Sequence, residues 1–199
     1  KNMKRMRIVD CLKSDIPIDD CIVAGWVRTK RESKENIFIE INDGSCLSNL
    51  QVVVGVGDSS FDIAQRLHTG ASVYIQGSLV PSPAVGQTWE LKPNIITVLG
   101  DADPESYPLQ KKRHSFEFLR EIAHLRPRTN TMGAIMRIRN QVSYAIHTFF
   151  QQKGFLYVHT PIITTSDCEG AGEMFQVTTL DLHNLPMVNG AIDYTKDFF

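Results

Sequence analysis

Apolar and polar residues alternate in two different ways along the chain. Between about residues 21 and 99 they alternate mostly with a period of two, which is typical of half-buried strands. From Thr131 to Lys153 the apolar residues instead recur every three or four positions and form a wide stripe, which predicts a long amphipathic helix. The pattern therefore predicts a β-rich first part and a second part that opens with a helix.

The first part is predicted to contain five strands, with one helix between the third and the fourth. We expect strands at 21–27, 36–41, 50–54, 71–80 and 89–99, and the helix at 59–68. In the second strand Ile37, Ile39 and Ile41 share one face, while Phe38 and Glu40 occupy the other. Three strands, a helix and two strands is the order of an OB-fold barrel, whose sheet face binds oligonucleotides. We therefore predict an all-β, five-stranded OB-fold barrel.

Candidate nucleic-acid contacts lie on and beside the second strand. The basic stretch from Arg28 to Lys34 is predicted to form the turn that leads into it. Phe38 is either a packing residue or a platform on which an unstacked base lies, and the pattern alone favours packing. Gln51 opens the neighbouring strand, where its amide could form a hydrogen bond with the edge of a base.

Residues 100–128 have the composition of a boundary between two parts of the chain. Asp101 to Pro108 is acidic and contains proline, and the basic cluster Lys111 to His114 precedes a helical pattern that runs to Leu125. A basic cluster is usually a solvated face, but beside a nucleic-acid barrel it could contact phosphates. We therefore divide the chain into a barrel at 1–102, a hinge at 103–126 and a third part at 127–199.

The stretch that follows the long helix combines predicted strands with an acidic loop. Gly154 suits the left-handed conformation that ends a helix, and Phe155 to Ile163 reads as a strand. Because Pro161 has no N–H to donate, we expect this strand to lie on an edge, at a bulge or against another subunit. The loop at 164–173 carries two glycines and three carboxylates, which suits the capture of an amino acid's ammonium group. A solvated hairpin loop is the alternative, and spacing alone favours it. Met174 to Val177 is predicted to resume a strand.

Composition and charge exclude several classes of protein. The hydrophobic share of 42% and the charged share of 22% are those of an ordinary globular protein, and the net charge of -1 restricts nucleic-acid binding to local basic patches. The four cysteines lack metal-site spacing, so we predict free thiols, no metal site and a reducing compartment. The sequence shows neither a membrane-spanning run nor a signal peptide. We expect a cytoplasmic protein, with an organelle as the alternative.

Several stretches of the sequence resemble the class II aminoacyl-tRNA synthetases. The helix that ends in Gly-Phe and the strand that closes on Thr-Pro resemble motif 1 of that class. SDCEGAGEMF at 166–175 and KKRHSFEFLREIAHLRPRT at 111–129 closely resemble the asparaginyl subgroup, and 178–199 resembles an insertion in its bacterial-type and organellar members. GWVRTKR, NIFIEIND and LQVVV resemble the anticodon-binding barrel of the aspartyl, asparaginyl and lysyl enzymes.

The resemblance implies a role for specific residues. The barrel would be followed by the beginning of an α+β class II catalytic domain with an antiparallel sheet. Phe38 would stack on the middle anticodon uridine, Gln51 would form a hydrogen bond with it, and Arg28 would contact the anticodon stem or loop. Glu169, with Ser166 beside it, would bind the amino group of asparagine. The dimer interface would include Phe149, Gly154 and Pro161.

The implied reaction is the ATP-dependent activation of asparagine and its transfer to tRNA(Asn) by a homodimer, with Mg²⁺ on the phosphates. The arginines of motifs 2 and 3 lie outside residues 1–199, so no catalytic residue is assigned. Because the sequence opens without methionine and ends on two phenylalanines, we expect a piece of a longer chain that is inactive alone. The alternatives are an aspartyl relative, a tRNA-binding module without catalysis, and an asparagine-forming paralogue, which would lack the barrel.

Overall fold

The computed structural model describes residues 4–164, 181 and 183–193. The chain divides into two compact units, Lys1–Gln152 and Lys153–Phe199, and each is described by itself. The first unit holds the β-rich part, the predicted hinge and the long helix.

The β-rich part is a closed barrel of five strands. A short helix α1 (Ile8–Leu12) precedes β1 (Ile18–Glu32), β2 (Asn36–Asn42), β3 (Leu50–Gly55), α2 (Phe61–Arg66), β4 (Ser72–Pro81) and β5 (Trp89–Gly100). The strands follow one another around the barrel in the order β1-β2-β3-β5-β4, and β4 pairs with β1 to close it. The pairing of β3 with β5 is parallel and the other pairings are antiparallel. The predicted order of three strands, a helix and two strands is confirmed.

Alternation along the strands builds the barrel interior. Ile37, Ile39 and Ile41 are each at most 1% exposed, as the period of two predicts. Other buried members of the core come from every strand and from α1 and α2 (Ile8, Cys11, Val23, Val27, Leu50, Val52, Val54, Ala64, Leu67, Val73, Ile75, Leu79 and Leu91). Burial of this apolar surface is the main favourable contribution to the stability of the barrel.

Strand β1 is longer than the sequence predicts. Arg28 to Glu32, which include three basic residues, belong to β1, so the prediction of a turn at Arg28 to Lys34 is wrong. Thr29 to Glu32 form backbone pairs with β2. Their side chains therefore lie on β1, the strand that pairs with both β2 and β4 in the barrel. The reversal is confined to the residues between Glu32 and Asn36, where the Ser33 hydroxyl donates to the Asn36 carbonyl.

Helix α1 is capped by residues from the β2–β3 connection. The side chain of its own N-cap residue, Arg7, forms no capping hydrogen bond. The Ile8 N–H donates to Asp43 Oδ2 and the Val9 N–H donates to Ser45 Oγ, each over 3.0 Å. Because a helix N-terminus leaves its first N–H groups without intrahelical partners, this distant cap anchors α1 to the barrel.

The predicted hinge packs on the barrel. Helix α3 (Phe116–Glu121) is shorter than the helical pattern that runs from 114 to 125, and a 3-10 turn (Arg126–Arg128) follows it. The Ser115 hydroxyl caps α3 by accepting the Phe118 N–H. Leu109 and Leu119 are buried, and the Tyr107 ring lies so close to Gly70 that a side chain there would collide with it. The barrel, the hinge and the long helix are therefore parts of one compact unit.

Helix α4 (Asn130–Gln152) matches the predicted long helix to within one residue at each end. Its apolar stripe is largely exposed: Ile138, Val142, Ile146 and Phe149 expose between 52% and 63% of their surface. Gly133 is its only buried residue. The described residues therefore leave this face uncovered. No helix in the described part of the chain is both long and apolar enough to cross a membrane.

Among its described residues, the second unit forms a short hairpin of β6 (Met187–Val188) and β7 (Ala191–Ile192). The turn at Asn189–Gly190 has positive φ values of 50° and 79°, as its sequence predicts. Gly154, at φ +84°, has the predicted left-handed conformation. The predicted strand at 155–163 is wrong, because this segment forms no strand and pairs with none in the described residues. The predicted strand at 174–177 lies outside the described residues.

Candidate nucleic-acid interface

The outer face of β1, β2 and β3 carries two rows of side chains. In the first row Arg31 lies opposite Phe38, which lies opposite Val53. The second row places Thr29 opposite Glu40, and Glu40 opposite Gln51. Side chains two residues apart on a strand share a face, so the two rows form one surface on three neighbouring strands. We call these six residues the outer face.

The first row combines an aromatic ring with a cation. The guanidinium carbon of Arg31 lies 4.5 Å from the centre of the Phe38 ring, a cation–π contact. Phe38 is only partly buried and points away from the three isoleucines of its strand. A flat ring on a strand with an arginine above it offers stacking to a base and charge to a phosphate.

The second row contains a polar network and one amide outside it. Glu40 Oε2 accepts hydrogen bonds from Thr29 Oγ1 over 3.0 Å and from Asn49 Nδ2 over 3.1 Å. Gln51 is 9% exposed, and its side chain forms no hydrogen bond to another described residue. The amide of Gln51 therefore keeps its donors and its acceptor for water or a ligand.

Arg28 is directed away from Phe38 and Gln51. Its Nη1 donates to the carbonyl oxygen of Arg128, and its Nη2 lies 3.4 Å from Asn130 Oδ1. Burial is the main cause that lowers the pKa of Arg28 from its ordinary value, because it disfavours the charged form. The hydrogen bonds to these two acceptors offset part of that cost and stabilise the charged guanidinium. The structure therefore brings Phe38 and Gln51 together on the outer face and leads Arg28 towards the residues before α4.

Arg31, like Thr29, is a member of the outer face that the sequence places in a turn. The register that sets it opposite Phe38 follows from a tight reversal between Glu32 and Asn36. The only sequence signal for it is its position in the basic stretch, which does not say on which side of the sheet it lies.

A basic cavity of about 1020 Å³ adjoins the outer face. Thr29 and Glu40 of the barrel line it on one side, and the cluster Lys111 to His114 of the hinge lines it on the other. Arg28 and Arg128 also line it, so its walls hold five Lys or Arg side chains against two Glu. A local excess of cations compensates for the absence of a positive net charge in the chain as a whole.

The other predicted site residues remain predictions. Ser166 and Glu169 lie outside the described residues. Phe149 is 56% exposed and its ring meets that of Phe150 edge-on, with ring centres 5.4 Å apart. Gly154 and Pro161 are exposed. Among the described residues no group of three or more His, Cys, Asp or Glu side chains is arranged to hold a metal ion.

The three described cysteines are free thiols. Cys11 and Cys21 are buried in the barrel core with their sulfur atoms 3.8 Å apart, and Cys46 is partly exposed. Free thiols are expected for a protein of a reducing compartment.

Comparison with known families assigns both parts of the chain. Residues 21–99 match the OB-fold nucleic acid binding domain, and residues 115–189 match the tRNA synthetases class II (D, K and N). The chain is 57% identical over 198 residues to asparagine–tRNA ligase of Synechocystis sp., covering 99% of the chain and 43% of that protein. It is 58% identical over 199 residues to asparagine–tRNA ligase of Nostoc sp., with the same two coverages.

Solved structures agree in fold. Asparaginyl-tRNA synthetase from Pyrococcus horikoshii, complexed with asparaginyl-adenylate, has a TM-score of 0.76 at 23% identity and covers 90% of this chain and 41% of its own. The Entamoeba histolytica asparaginyl-tRNA synthetase has a TM-score of 0.64 at 19% identity, covering 75% of this chain and 36% of its own.

The chain spans less than half the length of the curated relatives it matches. The matches cover 99% of this chain and so include the barrel, the hinge and the residues after α4. The two family matches stand in the order that the two structural parts follow along the chain. The chain therefore carries an OB-fold nucleic acid binding domain followed by part of a class II (D, K and N) tRNA synthetase domain, and over 99% of its length it is similar to asparagine–tRNA ligases.

Proposed function

We propose that this chain is part of an enzyme that activates asparagine with ATP and transfers it to tRNA(Asn). The outer face, with Phe38 and Gln51 as diagonal neighbours on adjacent strands, is the single observation that supports the RNA-binding half of this proposal. Identity of 57% to an asparagine–tRNA ligase over 99% of the chain supports the choice of amino acid. The chain would contribute the anticodon-binding barrel and the beginning of the catalytic domain.

The barrel recognises the anticodon through stacking and one amide. The ring of Phe38 stacks on the middle uridine of the anticodon, an interaction worth about 1–3 kcal/mol per base. Gln51 forms hydrogen bonds with the same base, because its amide offers donors and an acceptor that no described residue uses. Arg31 already covers Phe38, so it either shares the ring with the base from the other face or moves aside when the base binds.

The basic cavity supports the phosphate backbone next to the bases. Lys111, Lys112 and Arg113 line this cavity together with Thr29 and Glu40 of the outer face, which supports the proposal. Each phosphate that they neutralise releases counterions, so binding of tRNA should weaken as salt rises.

The remaining parts of the activity rest on the resemblance to the family. Glu169, with Ser166 beside it, binds the ammonium group of asparagine. Two chains associate through a surface that includes Phe149, Gly154 and Pro161, and the enzyme works in the cytoplasm or in an organelle. ATP and Mg²⁺ are substrate and metal of the whole enzyme, held by residues other than those described here, and Mg²⁺ would neutralise the phosphates of ATP.

The substitution Phe38→Ala tests the proposed RNA site. We expect it to weaken binding of an RNA hairpin that carries the tRNA(Asn) anticodon by about 1–3 kcal/mol, roughly 5-fold to 150-fold, because one stacked base is lost. Binding of the labelled hairpin to the 199-residue chain is measured by fluorescence anisotropy at a fixed salt concentration.

Tyr74→Ala is the matched control, because Tyr74 is a partly buried aromatic residue of β4, outside the three strands of the outer face. Its affinity for the hairpin should equal that of the unaltered chain. Equal affinity of the Phe38→Ala chain and the unaltered chain would remove Phe38 from the site. An unchanged affinity when the central uridine is replaced by cytidine would contradict recognition of the anticodon.

A further inference from the structure

The first unit joins the barrel to helix α4 through arginine side chains. The barrel contributes Arg28, whose guanidinium reaches the Arg128 carbonyl and Asn130. From the other side, Arg137 of α4 donates to the Gly44 carbonyl of the β2–β3 connection over 2.7 Å. The two contacts are reciprocal. An arginine of the barrel donates to a backbone carbonyl just before α4, and an arginine of α4 donates to a backbone carbonyl of the barrel.

A third arginine completes the contact. The guanidinium carbon of Arg128 lies 4.5 Å from the centre of the Trp26 ring on β1, and its Nη1 lies 3.4 Å from the Tyr107 hydroxyl. None of the three arginines forms an ion pair with a described carboxylate, since their partners are carbonyls, an amide, a hydroxyl and an indole. We call Arg28, Arg128 and Arg137 the clasp.

Apolar packing contributes little to this joint. Gly133 is the only buried residue of α4, and Leu47 is the barrel side chain that approaches it. Two cavities, of about 1020 Å³ and about 900 Å³, adjoin the joint, and Trp26, Arg28 and Arg128 line both of them. An interface that is flanked by open space and held by a few directed hydrogen bonds is easily altered by losing one of them.

We propose that Arg28 is a positioning residue, which with Arg128 and Arg137 fixes the orientation of the barrel on the first turns of α4. The planar guanidinium of Arg28 donates to two acceptors at once, the Arg128 carbonyl and Asn130, and so sets an angle as well as a distance. Arg28 therefore acts on RNA only through the barrel that it orients, rather than by touching the anticodon. This role in presenting the bound anticodon rests on the proposed function, whereas the clasp itself does not.

Amide hydrogen exchange of the 199-residue chain tests the clasp. Arg28→Ala should speed exchange about tenfold in the first turns of α4 and in the loop around Gly44, because charge-assisted hydrogen bonds of the expected strength are lost. Arg137→Ala should speed exchange in the same two regions. Arg139→Ala is the matched control, since Arg139 is an exposed arginine of the same helix, and it should leave both regions unchanged.

Tryptophan fluorescence provides a spectroscopic signature of the same joint. The chain has two tryptophans, and Trp26 is 38% exposed whereas Trp89 is 5% exposed, so acrylamide quenching reports mainly on Trp26. Arg28→Ala should raise the quenching of Trp26, because Arg128 no longer stays over its ring. Arg28→Lys should restore only part of the protection, since an ammonium group lacks the planar fork that reaches both acceptors.

RNA binding separates the clasp from a direct anticodon contact. Without any RNA present, the Arg28→Ala chain should already have lost its exchange protection, which the loss of a direct anticodon contact would leave unchanged. In the unaltered chain the bound hairpin should further slow exchange in the first turns of α4, and in the Arg28→Ala chain it should not.

Three results would overturn the proposal. Unchanged exchange and quenching in the Arg28→Ala chain would show that Arg28 does not hold the joint. Weaker hairpin binding with unchanged exchange would make Arg28 an anticodon contact. Full restoration by Arg28→Lys would show that a single charge suffices. Failure of the proposed function is recognised separately, because Phe38→Ala should weaken hairpin binding without loosening the clasp.

Discussion

At the scale of single residues, Asp43 connects the start of the chain to the barrel. Its side chain is 2% exposed and lies 3.5 Å from the guanidinium of Arg5. Besides the N–H of Ile8, its oxygens accept the N–H and the hydroxyl of Ser45. Burial by itself would raise the pKa of Asp43, but the hydrogen bonds from Ser45 and Ile8 and the charge of Arg5 outweigh it and lower the pKa below its ordinary value of 3.8.

The substitution Asp43→Asn should destabilise the chain by about 1–3 kcal/mol at pH 7, because an acceptor carboxylate at a helix N-terminus is replaced by an amide. A lowered pKa in the folded state means that the carboxylate stabilises the fold above its ordinary pKa of 3.8 and loses this effect as the pH falls through the lower folded value. The difference between the two chains should therefore shrink below about pH 4. Urea unfolding at pH 7, 5 and 3.5 measures it.

Asp19→Asn is the matched control, since Asp19 is an exposed aspartate of β1 to which no described hydrogen bond runs. It should change the free energy of unfolding by less than about 0.5 kcal/mol at every pH. A constant difference between Asp43→Asn and the unaltered chain from pH 7 to pH 3.5 would contradict the role of the charge.

At the scale of elements, helix α4 forms correctly but leaves its apolar stripe exposed. Four large side chains of the stripe expose more than half of their surface in the first unit. An exposed stripe of this size on a helix is typical of a surface that a further sheet or a second chain covers. The proposed homodimer would cover part of it.

Substitution of the stripe should weaken self-association. Val142→Glu places a carboxylate in the middle of the stripe, where burial against another chain would leave the charge without a partner. We expect the dissociation constant of the dimer, measured by sedimentation velocity over a range of concentrations, to rise by at least about tenfold.

Ser143→Glu serves as the control, because it introduces the same charge one residue further along the helix, at an exposed polar position. Its dissociation constant should stay close to that of the unaltered chain. Equal association of the Val142→Glu and unaltered chains would show that the stripe is not the interface.

At the scale of the whole molecule, two proposed activities lie in different units. The outer face belongs to the unit Lys1–Gln152, and the loop that contains Glu169 belongs to the unit Lys153–Phe199. Substitutions at separate sites without shared partners are expected to act independently. The chain spans about 43% of its relatives, so the chemistry requires a longer ligase that contains it.

In such a longer ligase, Glu169→Gln should abolish most of the asparagine-dependent exchange of pyrophosphate into ATP, because the substrate's ammonium group loses its carboxylate partner. The affinity for tRNA(Asn), measured by filter binding, should stay unchanged. Asp167→Asn, two residues away in the same loop, is the matched control and should retain exchange. Normal exchange in the Glu169→Gln enzyme would show that Glu169 does not bind the substrate.

The sequence predicts those features that depend on neighbouring residues along the chain. The period of two in β2 buries Ile37, Ile39 and Ile41 and leaves Phe38 outside, because a strand turns successive side chains to opposite faces. The same local rule predicts the five strands of the barrel, and apolar residues that recur every three or four positions predict the extent of α4. The positive φ of Gly154 and of the Asn189–Gly190 turn also follows from the residues themselves.

Only the tertiary structure decides where a side chain or a backbone group finds a distant partner. Arg31 lies over Phe38 because β1 continues through the basic stretch, and Arg28 is directed away from Phe38 because a carbonyl one hundred residues later accepts its hydrogen bond. Residues 155–163 have strand-forming side chains but form no strand within the described part of the chain, because side-chain type alone does not supply the ladder of backbone hydrogen bonds that defines a strand. Local pattern thus determined which faces are apolar, and long-range hydrogen bonding determined which residues meet.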